Sequence, residues 1–223
     1  MKIDRLISLT LLVSFNTAAL NVGNVTTIIA ADKQLVAKEI INQTDMARLV
    51  TVRVDKISSP FSSGTTLPFD SADELLVAPS QLMMPAETRN LVKFYYQGKS
   101  DSVERYYRIT FTDESVGESA KNSSGKNTDA MTRAIISTIL VVQPRNKHLN
   151  YAFSQGKISN TGNVSWRVNA MGRCLNKNTS QQDCRDVYYV PPGKTYTFPD
   201  VDINDPHSYI GIWDIDQYVP VNK

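Results

Sequence analysis

Histidine and cysteine are scarce: the 223 residues hold two of each, and Trp is equally rare. A zinc ribbon or a multi-histidine metal centre needs more ligands than this, and a disulfide-rich miniprotein needs more cysteines. Charge of one sign is missing too. Lys+Arg 24 against Asp+Glu 22 leaves a formal +2, which disfavours binding to nucleic acid or an anionic membrane through bulk charge. A serine or cysteine hydrolase needs a nucleophile, a histidine base and an orienting carboxylate. Neither His148, in a polar basic stretch, nor His207, in the turn NDPHSY, lies beside a GxSxG motif or a lone reactive Cys. The acidic groups Asp70, Asp73, Glu74 and Asp200, Asp202, Asp205 lack the spacing of a Ca²⁺ loop or a matched glycosidase pair. These absences predict a protein that is not an enzyme and carries no cofactor or metal.

Long apolar runs are confined to the beginning. Residues 1–19, MKIDRLISLTLLVSFNTAA, place Lys2 and Arg5 before an apolar stretch from Leu6 to Phe15 and small residues ending at Ala19. That is the pattern of a secretory signal peptide cleaved after Ala19. A membrane anchor is the other reading, but about ten apolar residues fall well short of the ~20 that span a bilayer. Export into the periplasm, without membrane insertion, is therefore expected. In an oxidising compartment Cys174 and Cys184, ten positions apart around a polar loop, are expected to form a local disulfide across a hairpin.

Sustained helical periodicity is also lacking. From Leu20 onward, short runs rich in β-branched and aromatic residues alternate with Gly, Pro, Asn, Asp and Ser clusters. The clearest strands are 35–41, 48–57, 75–78, 90–96, 106–112 and 134–142, then 151–153, 164–170, 187–190, 195–198 and 208–214. Their spacing predicts an all-β chain of antiparallel sandwiches. A break at Gln143-Pro144-Arg145 divides it into 20–144 and 145–223, each of a size for an immunoglobulin-like domain. The tract Asp113–Asp129 has no apolar period and reads as a loop. Beyond it, Ala134–Val142 is apolar on both faces, unlike an ordinary half-wet sandwich strand. It is either a central strand or an apolar edge that a partner covers by strand addition.

Several stretches, ARLVTVRVDKISSP (47–60), DELLVAPSQLMMPA (73–86), ERYYRITF (104–111), TILVVQPR (138–145) and NTGNVSWRVNAMGRC (160–174), resemble the periplasmic chaperones of the chaperone/usher pilus-assembly pathway. The likeness is to their alternate branch, which includes the common-pilus chaperones of enterobacteria. It implies two immunoglobulin-like domains set at an angle as a boomerang, pilin subunits and an outer-membrane usher as partners, and donation of a β-strand to the pilin. On this sequence the donor spans about Ala130 to Ile136, with Ala130, Thr132, Ala134 and Ile136 on the donated face. A slip of one residue makes Ile135 the main contact. The family's better-known branch holds the pilin carboxylate with an Arg in its first strand and a Lys in the donor strand; here Val22–Ala30 has no basic residue and Ile139–Val141 is apolar. Arg53, Arg108, Arg133 and Arg145 are the candidate replacements. The resemblance further implies an interdomain ionic cluster containing Lys93, Glu104 and an Asp of the second domain. Two other readings remain open at this stage: a secreted pilus subunit or adhesin, and a carbohydrate-binding β-sandwich.

Overall fold

In the computed structural model of the chain, the described residues are 20–116, 133–176 and 183–222, and among them every regular element is a strand. Residues 1–19, expected to be a signal peptide, Ala130, Thr132 and most of the tract read as a loop lie outside these residues. The first ten strands are β1 (Leu20–Asn21), β2 (Thr26–Ile29), β3 (Leu35–Asn42), β4 (Arg48–Ile57), β5 (Thr66–Leu67), β6 (Leu75–Ala78), β7 (Gln81–Met84), β8 (Arg89–Tyr96), β9 (Arg105–Ser115) and β10 (Arg133–Val142). Then follow β11 (Tyr151–Ser154), β12 (Lys157–Asn160), β13 (Trp166–Arg173), β14 (Asp183–Val190), β15 (Thr195–Thr197), β16 (Tyr209–Asp214) and β17 (Gln217–Pro220).

Alternation along each strand selects the buried side. In β8, Val92, Phe94 and Tyr96 point inward while Leu91, Lys93 and Tyr95 are exposed; in β9, Tyr107, Ile109 and Phe111 point inward. Two sheets, ordered β1-β3-β8-β6 and β2-β10-β9-β4-β5 with β7 on β4, close over these residues as one sandwich. A second sandwich, β11-β12-β15 against β14-β13-β16-β17, buries Ile158, Trp166, Val168, Ile210 and Ile212. The two cores share no residue. The chain therefore consists of two immunoglobulin-like sandwiches.

The entry strand departs from the sequence reading. Val22–Ala30 is not one strand: β1 pairs with β3 in one sheet, Gly23 takes φ 66°, and the chain crosses to join β10 as β2 in the other. A left-handed backbone at that step suits glycine and turns the chain between sheets.

Candidate functional site: the open edge of strand β10

Strand β10 is paired with β9 along its whole length, from Arg133 opposite Glu114 to Val142 opposite Arg105. On its other edge β2 runs parallel and covers only Ile139–Val142. The first covering bond is Ile139 N–H to the Val25 carbonyl, 2.8 Å. Among the described residues, Arg133–Thr138 thus keeps one edge without a neighbouring strand. An unpaired edge is a ready template for another chain.

The faces of β10 are distinct. Ile136, Leu140 and Val142 pack into the core of their own sandwich, whereas Ile135 is 64% exposed. Ala134 and Ile136, the parity the sequence favoured, share the inward face, and the outward face carries Arg133, Ile135, Ser137, Ile139 and Val141. The reason is packing, since Ile136 lies on the same side as the fully buried Leu140. The outward face continues into a small apolar cluster of Val141, Ile57 and Tyr106, joined by Ile28 and Ile139. Beside it a groove brings Ile28, Phe61 and Val141 of the first sandwich near Ser165, Tyr189 and Pro191 of the second.

The four arginines separate. Arg108 stands on β9 opposite Ile139 and Asp55, on the outward face but on the side of β10 away from its open edge. Arg53, on the same face of β4, pairs with Asp55 at 3.1 Å, and Arg133 with Glu114 at 3.4 Å. Arg145 is committed to the fold: its guanidinium donates to the carbonyls of Ala30, Ala31 and Lys33 and lies over the Tyr96 ring.

Lys93 and Glu104 do not meet in an ionic cluster. Lys93 is exposed on β8 between Ala37 and Ala78, with no ion pair among the described residues, because its parity is the wet one. Glu104 does reach the second sandwich, but through hydroxyl and backbone donors. It accepts from Ser165 N–H (2.7 Å), from the Ser165 hydroxyl and from Tyr106 Oη (2.6 Å). Burial pushes its carboxyl up, opposed by those donors. Asp214 of β16 accepts from Gln143 across the division at 144/145 and from Lys147 within 145–223, both at 2.7 Å.

Two further groups border the open edge and escaped the sequence reading. Lys38 of β3 is 5% exposed, and its Nζ donates to the Asn24 carbonyl (2.6 Å) and to Thr27 Oγ1 (3.2 Å); burial lowers its pKa. Thr138 is 2% exposed, and its hydroxyl has no partner among the described residues. The signal for Lys38 was present: it occupies the apolar parity of Val36 and Ile40. Cys174 and Cys184 form a disulfide beside the paired ends of β13 and β14.

Two tandem immunoglobulin-like sandwiches are the architecture of solved pilus chaperones. The fold matches the "Class 5 Fimbriae Chaperone CfaA", 17% identical over 91% of this chain and 98% of that one, with a TM-score of 0.55. It also matches a chain from the complex of Salmonella enterica SafA pilin with the SafB chaperone, 14% identical over 89% and 91%, TM-score 0.51. Residues 149–221 fit the family described as EcpB C-terminal domain. The "Probable fimbrial chaperone EcpB" of Escherichia coli O18:K1:H7 and that of the K12 strain DH10B are each 36% identical over 203 residues, 91% of both chains. The chain belongs to the EcpB family of fimbrial chaperones, the common-pilus branch, which is not a family of enzymes.

Proposed function

We propose that this chaperone works in the periplasm, after loss of residues 1–19 as a signal peptide, by lending the open edge of β10 to an incomplete pilin sandwich. It then delivers the pilin to an outer-membrane usher. The observation that carries this reading is the free edge of Arg133–Thr138 with Ile135 turned outward. A guest strand laid there gains main-chain hydrogen bonds, and covering Ile135 contributes roughly 1.5–3 kcal/mol. The groove beside Ile139 and Val141 extends the apolar contact toward the second sandwich.

Co-expression with a fimbrial pilin subunit tests it. Ile135→Asp is expected to abolish pilin co-purification while leaving the chaperone's own melting midpoint unchanged, because that side chain is exposed. Ile136→Asp is expected to lower the midpoint itself. Undiminished pilin recovery with Ile135→Asp contradicts strand donation.

A further inference from the structure

The core of the second sandwich covers one side of the β14-β13-β16-β17 sheet, and the other side faces water. On that outer side the register sets rows across the strands. Tyr189, Arg167, Trp213 and Tyr218 form one, Val187, Asn169 and Gly211 the next, and Arg185, Met171 and Tyr209 a third. Gly211 contributes no side chain at the centre, and a Cβ there would run into the Tyr218 ring that leans over it. A strand glycine marks such a close approach. The result is a trough of about 370 Å³, with Trp213 and Tyr218 along one side and Met171, Tyr209 and Arg185 along the other. Its size lies within the roughly 300–1,000 Å³ of small-ligand clefts, and ring faces with a few polar groups among them are the lining of such clefts. The rings are held in place. Trp213 and Tyr218 lie 5.1 Å apart, and in the orientation that satisfies both its amide atoms Asn169 accepts from the Trp213 indole N–H at 3.1 Å.

Charge on this side is positive. Arg167, Arg173 and Arg185 share it with one carboxylate, Asp183, and among the described residues the acidic partner of the three is Asp205, on Arg173. Arg185 is exposed without an ion pair, and Arg167 Nε is sealed from water with no acceptor among the described residues. The main chain beneath is already spent, because β13 is paired on both edges by β14 and β16, and β16 by β13 and β17. A polypeptide laid in the trough would bury its own amides without partners. A sugar ring needs no such partners: its C–H groups meet the negative faces of aromatic rings, and a carboxylate on it accepts paired hydrogen bonds from a guanidinium. We propose that the trough binds an acidic saccharide, a pyranose ring bearing a carboxylate, with Trp213 and Tyr218 against the ring and Arg185 on the carboxylate. The site lies on a different sandwich from β10 and is independent of strand addition.

The test titrates trigalacturonate, its methyl ester and a triglutamate peptide into the full chain, read by calorimetry and by tryptophan emission. The emission is informative because the two tryptophans are Trp166, sealed in the core, and Trp213. Trigalacturonate is expected to shift it saturably and to bind roughly tenfold tighter than the ester, which keeps the rings and loses the charge. That ratio is expected to fall to about one in Arg185→Gln, and Tyr218→Ala to weaken both sugars roughly fivefold. Both side chains are exposed, so the melting midpoints of these variants should match wild type. Ile135→Asp is expected to bind trigalacturonate like wild type; loss of binding there would tie the sugar to β10 and overturn a separate site. Absence of saturable binding to wild type overturns the proposal, as does an affinity untouched by both Arg185→Gln and Tyr218→Ala. Equal affinity of acid and ester removes the role of Arg185 and overturns an acidic ligand. Triglutamate that binds as tightly as trigalacturonate assigns the trough to acidic peptides and overturns the sugar.

Discussion

Arg48 and Asp113, at the far end of β4 and β9 from the interdomain contacts, face each other through two hydrogen bonds of 2.7 Å, and both side chains are almost sealed from water. Removing one partner strands the other in the interior. Arg48→Ala is expected to cost about 3–5 kcal/mol in urea denaturation, far above an exposed ion pair. Asp101 behaves differently. The Arg105 guanidinium, bonded at 2.7 and 2.8 Å, holds its carboxyl down at about 2 against an ordinary 3.8. A depressed acid contributes stability that is complete above the ordinary value and lost as pH falls through the depressed one. Asp101→Asn is therefore expected to weaken the fold above pH 4, with the gap to wild type narrowing toward pH 2 in paired denaturation series. Little of this was legible beforehand. Arg48 opens a strand, a place where charges ordinarily face water. Ile135 and Ile136 are identical neighbours, so alternation alone could not choose between them; the packing of Leu140 and Val142 chooses.

At the scale of elements, the over-apolar Ala134–Val142 was the most informative stretch of sequence. Its two halves differ: Ile139–Val142 is flanked by β2 and capped outside by Ile28, Ile57 and Tyr106, whereas among the described residues the earlier half has no strand on that edge. The hairpins β11–β12 and β16–β17 went partly unread because their turns use weak signals. Gln155 and Gly156 at φ 50° and 71° make one, and Ile215 at φ 52°, unusual for a β-branched residue, sits in the other. The disulfide was readable because it depends on spacing and compartment alone. Its reduction, or Cys174→Ser with Cys184→Ser, is expected to cost roughly 2–3 kcal/mol by releasing a short loop, read as a fall in melting midpoint of the second sandwich. Strand addition at β10 should be untouched.

At the scale of the molecule, two separate cores are joined by polar contacts more than by shared apolar packing. Glu104 meets Ser165, Asn163 donates to the carbonyls of Ser102 and Asn146, Gln143 meets Asp214, and Phe61 stacks on Tyr188. The sequence foretold the two sandwiches; which side chains join them depends on tertiary proximity that no local pattern encodes. Near-neutral charge fits a partner recognised by backbone pairing and an apolar contact. The claim that β10 is the working element has a direct measure. Ile139 donates its N–H toward β2, so by alternation the amides of Ile135 and Ser137 point out of the free edge. Hydrogen exchange at these two amides should be fast in the free chaperone and strongly slowed in its complex with pilin, while amides of β13 stay unchanged. Formation of the complex with Ile135 and Ser137 still exchanging at the free rate would contradict the account.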